Sequence, residues 1–153
     1  MNQILKTHSP EETQAIGEQI GRKLKPGDVI ALIGDLGAGK TCLTQGIARG
    51  VRIAPDQIVN SPSYILINEY EGKIPIYHID LYRLQHIDEI LDLGLDEYLE
   101  GDGICVIEWA DRMLELLPEN AIHIQLAWED ESTRTIEVRN SGPDAHLKSS
   151  RDL

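Results

Sequence analysis

Residues Gly34-Asp35-Leu36-Gly37-Ala38-Gly39-Lys40-Thr41 follow the pattern G-x-x-x-x-G-K-[ST]. Glycines at these positions let the backbone curl so that successive N–H groups converge on an anion. A lysine in the seventh place reaches β- and γ-phosphate oxygens, and the threonine hydroxyl binds Mg²⁺. The pattern follows the apolar run Val29-Ile30-Ala31-Leu32-Ile33 and precedes a helical pattern carrying Leu43, Ile47 and Val51. In that strand-loop-helix context the helix start adds its own N–H groups and the positive end of its dipole to the same anion. At an average glycine usage of ~7%, a random chain of this length meets the pattern at well under about one in twenty, and the flanking elements remove most of those accidents. The chain is expected to cradle a nucleotide on Asp35, Leu36, Gly37, Ala38, Gly39, Lys40 and Thr41, with Cys42 next in line.

Hydrolysis also needs Mg²⁺ ligands and a group that orients or deprotonates water. Two carboxylates end apolar runs. Glu108 follows Ile104-Cys105-Val106-Ile107, and Asp80 follows Ile76-Tyr77-His78-Ile79, where strand alternation puts it on the face of His78. The more fully apolar strand belongs in the sheet centre beside the P-loop strand, which assigns Glu108 to Mg²⁺ and leaves Asp80 to orient water or to stand in a second metal shell. The reverse assignment, or a structural pairing of either acid with Arg83 or Arg112, stands beside it. Ser61-Pro62-Ser63-Tyr64 is either a segment sensing the γ-phosphate through its hydroxyls or an ordinary Ser-Pro turn. Trp109 is a strand-end core residue or an aromatic lid, and His78 reads better as a satisfied strand histidine than as a catalyst.

Around these residues the elements follow from pattern. Gln3 to Thr7 reads as a strand. Ser9-Pro10-Glu11-Glu12 starts a helix with Ser9 as N-cap, Pro10 in the first turn and Glu12 closing a capping box. Ile16, Ile20 and Leu24 give that helix one buried stripe, and Lys25-Pro26-Gly27-Asp28 turns the chain into the P-loop strand. Tyr64 to Tyr70 and Ile74 to Leu81 form a hairpin across Glu71-Gly72-Lys73. His86 to Leu91 and Leu95 to Leu99 are short helices broken at Gly94. Ile104 to Ile107 is a strand buried on both faces, and Asp111 to Leu117 a helix halted by Pro118. Ala121 to Glu129 and Thr133 to Asn140 form a second hairpin. The sum is a P-loop NTPase-like, three-layer α/β/α fold on a mixed, mostly parallel sheet with antiparallel hairpins. Residues 1–140 make one domain and 141–153 a loose tail.

With 153 residues there is room for one sizeable core. No run approaches the roughly 18 apolar residues of a membrane span and the start lacks a signal peptide's pattern, so a cytoplasmic protein with no membrane contact is expected. The 26 acidic against 14 basic residues give a net charge of −12. That excludes unaided binding to DNA or RNA phosphates and favours a basic protein surface as partner. The cysteines, Cys42 and Cys105, have no metal-ligand spacing. Cys105 reads as core. Cys42 is either a thiol made reactive by the helix start, which lowers its pKa, or a small residue filling space.

Taken in order, the P-loop, Ser61-Pro62-Ser63-Tyr64, His78-Ile79-Asp80-Leu81-Tyr82-Arg83 and Ile107-Glu108-Trp109 resemble the motifs of the TsaE (YjeE) family, from about Ser9 to about Val138. These are small bacterial P-loop ATPases needed for threonylcarbamoyladenosine modification of tRNA. The resemblance implies ATP/ADP and Mg²⁺ as ligands, and TsaB and TsaD as the partners that hold the tRNA and perform the transfer. Hydrolysis would then reset that assembly. It implies Lys40 and Thr41 on phosphate and Mg²⁺, Glu108 on Mg²⁺, Asp80 in hydrolysis, Ser61 to Tyr64 as the switch-like segment, and Thr13 and Arg134 beside the adenine. Ser63 stands where the family usually has threonine and Cys42 where threonine or serine is commoner. Asp111 replaces a glutamate with shorter reach. A small-molecule kinase, or a nucleotide-gated binding module with incidental hydrolysis, are the alternatives.

Overall fold

Every side chain in Val29–Ile33 is apolar, and all in Ile104–Glu108 but the last, which suits strands covered on both faces. A computed structural model of the chain describes residues 2–35, 37–59 and 67–139. It arranges them as β1 (Asn2–Thr7), α1 (Pro10–Lys23), β2 (Val29–Ile33), α2 (Lys40–Val51), β3 (Ile67–Tyr70), β4 (Ile76–Asp80), α3 (Ile87–Leu91), α4 (Asp96–Leu99) and β5 (Ile104–Glu108). A 3-10 helix over Ala110–Leu116, β6 (Ile122–Trp128) and β7 (Arg134–Arg139) complete the order.

The seven strands form one sheet in the order β1-β7-β6-β2-β5-β4-β3. Its centre is parallel: β2 pairs with both β5 and β6, and β4 pairs with β5. The expected hairpins β3–β4 and β6–β7 are antiparallel, and β1 lies antiparallel on β7. Alternation along the central strands divides the core in two. Ile30, Leu32, Ile104 and Val106 face one side with Ile16, Ile20, Leu43 and Ile47 from α1 and α2. Val29, Ala31, Cys105 and Ile107 face the other with Ile90, Leu95 and Met113 from α3, the α3–α4 turn and the 3-10 helix. The three-layer α/β/α arrangement expected from the pattern is the one observed. The sheet, however, is half parallel, in three of its six strand pairings, where a mostly parallel one was expected, because both hairpins and β1 add antiparallel strands at its edges.

Local chemistry sets the helix ends. The Ser9 hydroxyl oxygen accepts the Glu12 N–H (3.1 Å), while the Glu12 carboxylate accepts the N–H of His8 (3.0 Å), one residue upstream of the usual capping-box partner. The helix expected over Asp111 to Leu117 is instead the 3-10 helix, interrupted at Met113 (φ −139°, ψ 32°). Met113 is buried in the second core, so anchoring that side chain outweighs continuous helical hydrogen bonding in so short a segment. No helix among the described residues is long and apolar enough to cross a membrane. Residues 141–153, expected as a tail, lie outside the described residues.

Helix α1 lies against α2 through facing glycines, Gly17 and Gly21 on one and Gly46 and Gly50 on the other, each pair one turn apart on a single face. A Cβ on Gly46 would run into the Gln14 carbonyl and come within 2.9 Å of Gln14 Cα, and one on Gly17 would reach 3.0 Å from Ile47 N. Both obstacles are backbone and cannot rotate away. Gly46→Ala is therefore expected to destabilise the protein by about 1–3 kcal/mol despite alanine's better helix propensity. Urea or thermal unfolding measures this, and an unchanged midpoint would mean that the helices are not in such close contact.

Candidate active site

Because β2, β5 and β4 run parallel, their C-terminal ends share one edge of the sheet, where open α/β folds bind ligands. The P-loop leaves β2 at that edge. Gly34 lies against β6, where a Cβ would meet Leu126 O at 2.6 Å, and Gly37 and Gly39 have φ of 81° and 103°, a region open to glycine. Ala38 N–H donates to Asp35 O (3.1 Å), and Leu43 N–H to Gly39 O (2.9 Å), so the loop turns directly into α2. Asp35, Gly37, Ala38 and Gly39 thus lie between β2 and α2, whose first turn carries Lys40, Thr41 and Cys42. Leu36 and the Ser61 to Tyr64 segment lie outside the described residues.

Lys40 is only 6% exposed. Its ammonium donates to the carbonyls of Gly34 and Asp35 (2.9 Å to the latter) and lies 4.3 Å from the centroid of the Trp109 ring. Burying an unpaired ammonium costs several kcal/mol; the carbonyls and the π-face offset part of that, the latter by about 0.5–2 kcal/mol. Burial pushes the Lys40 pKa down, while Glu108, Asp80, Asp35 and Asp111, in decreasing order, pull it back up. Asp80 and Glu108 are themselves 4% and 3% exposed. They sit opposite one another on adjacent strands, with Glu108 in turn opposite Leu32 of the P-loop strand. The central position expected for the Glu108 strand, and the shared face of Asp80 and His78, are both present. Asp80 Oδ1 accepts the Tyr82 N–H (2.9 Å), which holds its carboxylate where the chain turns out of β4.

Trp109, whose role the sequence left open, belongs to the site. Its backbone is left-handed (φ 60°, ψ 38°), a conformation costing a bulky residue on the order of 1–3 kcal/mol, and its ring covers Lys40. Tyr82 packs on it at 5.0 Å between centroids and the Arg112 guanidinium lies 5.6 Å away. Arg112 also donates to Leu84 O. His78 is buried with both ring nitrogens engaged, Nδ1 facing the Tyr70 hydroxyl at 3.3 Å and Nε2 on the Glu108 carboxylate. Glu108 therefore pairs with a histidine, where an arginine was the structural alternative. Tyr70 and Tyr82 were missed by sequence reading, since no spacing ties either to the P-loop.

Beside the first turn of α2 a cavity of about 350 Å³ is lined by His8, Ser9, Pro10, Thr13, Gly39, Cys42, Glu131, Ser132 and Arg134. Thr13 and Arg134, distant in sequence, thus meet at one flank of the cradle. The Thr13 hydroxyl is spent on Thr7 (2.7 Å), leaving its methyl toward Gly39. A larger cavity of about 420 Å³, lined by Gln14, Gln45, Arg49 and Ile58 among others, includes no P-loop residue.

Of the two readings of Cys42, a small residue filling space fits better than a thiol activated by the helix start. Burial, then Glu11, pushes its pKa up against weaker pulls from Arg134 and Arg49, and its thiol donates to Pro10 O (3.2 Å). Burial pushes Cys105 up to about 12. The thiolate is the nucleophile, so a raised pKa means less of it at any pH below that value. In the native protein at pH 8, Cys105 is expected to resist iodoacetamide and Cys42 to react several-fold more slowly than a free thiol, accelerating as pH rises past 9. Mass spectrometry of timed samples reads this, and fast Cys42 alkylation at pH 7 would contradict it.

Residues 7–136 match the protein family described as Threonylcarbamoyl adenosine biosynthesis protein TsaE. The tRNA threonylcarbamoyladenosine biosynthesis protein TsaE of Bacillus subtilis (strain 168) is 47% identical over 132 residues, 86% of this chain and 81% of its own length. That of Treponema pallidum (strain Nichols) is 38% identical over 86% of this chain and 96% of its own. The crystal structure of Bacillus subtilis YdiB superposes with a TM-score of 0.77 at 38% identity, covering 93% of this chain and 87% of that one. The parallel sheet edge with its P-loop and paired acids, the match across most of the chain and the shared fold agree, and the chain belongs to the TsaE family.

Proposed function

We propose that the chain is a Mg²⁺-dependent ATP hydrolase that drives turnover of a tRNA-modifying assembly containing TsaB and TsaD, in the threonylcarbamoyladenosine pathway of its family. The observation that carries this reading is a buried P-loop lysine within electrostatic reach of two buried carboxylates that end neighbouring strands. A P-loop alone accounts for holding phosphates. Two acids at the same edge provide for the rest of hydrolysis, a metal ligand and a group for water.

In this reading the N–H groups of residues 35–40, Asp35 and Leu36 included, hold the phosphates. Lys40 exchanges its neutral carbonyl partners for anionic oxygens. Thr41 and Glu108 would hold Mg²⁺, to which hard oxygen donors are suited. Among the described residues no three His, Cys, Asp or Glu side chains cluster to hold a metal, which accords with an ion bound jointly to phosphates rather than in an all-protein cage. Held there, Mg²⁺ would offset the negative charge of the phosphates. Asp80, fixed by the Tyr82 N–H, orients and deprotonates the attacking water. The cavity that joins Thr13, Cys42 and Arg134 takes the adenosine, its size falling within the range of small-ligand sites.

A kinase would need arginines to close over the transferred phosphoryl group. Arg112, the arginine beside Trp109, is instead hydrogen-bonded to Leu84 O. The net charge of −12 favours basic protein surfaces over tRNA itself, so the tRNA is reached through the partners, in a cytoplasmic setting.

Lys40→Ala is expected to abolish measurable nucleotide affinity. Asp80→Asn should keep it and lose roughly 10²–10⁴ in kcat. Fluorescent-nucleotide titration and single-turnover hydrolysis, alone and with TsaB and TsaD, separate the two effects. Phosphoryl transfer to a nucleoside or sugar would sink the proposal, as would an Asp80→Asn variant that sustains repeated rounds of tRNA modification.

A further inference from the structure

The histidine on β4 is wholly buried on the α2 side of the sheet, among the apolar residues of that core. A buried imidazole with both nitrogens bonded gains little stability over an apolar residue of similar size, so packing alone does not account for it. Its partners do. From β3, Asn68 Nδ2 donates to the Tyr70 hydroxyl (3.4 Å), and that hydroxyl is hydrogen-bonded to His78 Nδ1 (3.3 Å). His78 Nε2 is in turn hydrogen-bonded to Glu108 Oε2 on β5. Asn68 lies opposite His78 in the β3–β4 register, and Tyr70 projects from the same face two residues on. The contacts form a chain that crosses three adjacent strands and ends on the carboxylate.

We propose that His78 is a positioning residue for Glu108, with Tyr70 fixing the imidazole in turn. Holding Oε2 selects one rotamer of the carboxylate and leaves Oε1 for other partners beside Lys40, whose ammonium senses Glu108 more strongly than any other acid. A long, flexible side chain is thereby converted into a preset ligand. Hydrogen bonds of this kind to a ligating carboxylate typically contribute 10–100-fold to metal affinity. The inference rests on the reading of Glu108 as a Mg²⁺ ligand. It adds a histidine that acts through that ligand without touching nucleotide or metal.

The test uses the full chain and four variants, Glu108→Gln, His78→Leu, His78→Gln and Tyr70→Phe. Fluorescent ADP is titrated with EDTA and again with increasing Mg²⁺, Mn²⁺ binding to the ADP complex is followed by electron paramagnetic resonance, and thermal unfolding is run alongside. His78→Leu is expected to bind ADP in EDTA within about twofold of the parent, yet to weaken Mn²⁺ and half-saturating Mg²⁺ by roughly 10–100-fold. His78→Gln, whose amide N–H can still reach Glu108, should recover much of that loss, and Tyr70→Phe should show a smaller shift in the same direction. If Glu108→Gln weakens the metal while folded His78→Leu and Tyr70→Phe do not, the proposal is overturned and Glu108 keeps its role. A Glu108→Gln variant with unchanged metal binding removes the underlying reading and the proposal with it. Should His78→Leu fail to fold, His78→Gln and Tyr70→Phe decide, and parental metal affinity in both overturns the proposal.

Discussion

The parallel register of three strands is the constraint on which the site depends. Leu32, Glu108 and Asp80 stand side by side across β2, β5 and β4, so the chain leaves each strand at the same sheet edge. A slip of one residue in β5 would turn Glu108 into the opposite core and bring Ile107 to the phosphate side. The two apolar cores prevent that slip. Ile104 and Val106 belong to one and Cys105 and Ile107 to the other, and the register that satisfies both also points Glu108 toward the P-loop. Apolar packing on two faces thus fixes a polar constellation at the edge.

That constellation is electrostatically demanding, and its walls answer the demand. Lys40 is kept out of water by Trp109, whose left-handed backbone turns its ring back over the ammonium. The carboxylates around it oppose the effect of burial on its proton affinity. Strain at Trp109, desolvation at Lys40 and burial of Glu108 and Asp80 each cost free energy. The uninterrupted packing beneath them supplies it, including a helix pair so close that glycine alone fits between α1 and α2.

Much of this was legible beforehand because the informative signals are local. The P-loop carries its turn geometry in its own glycines, and the Ser9 cap and the doubly buried runs in β2 and β5 announce themselves by residue type and period. The parallel centre followed from those runs, and the edge position of Asp80 and Glu108 from their place at strand ends. The 3-10 helix went unread because Met113 departs from helical geometry to enter a core formed by remote strands. Which of the two readings of Cys42 holds was undecidable from sequence for a similar reason. The helix start is visible in the sequence, whereas burial and the neighbouring Glu11 are not.

By itself, then, the sequence determined the glycine turns of the P-loop, the order and kind of most elements, and which acids end apolar strands, since these depend on neighbours within a few residues. Only the tertiary structure decided what those acids touch. That His78 of β4 would meet Glu108 of β5 and Tyr70 of β3, that Trp109 would cover Lys40, and that Thr13 and Arg134 would share one cavity depends on strand register, backbone conformation and helix approach. These are fixed by apolar contacts between residues far apart in the chain, whose free energy is non-directional and leaves no short-range pattern to read.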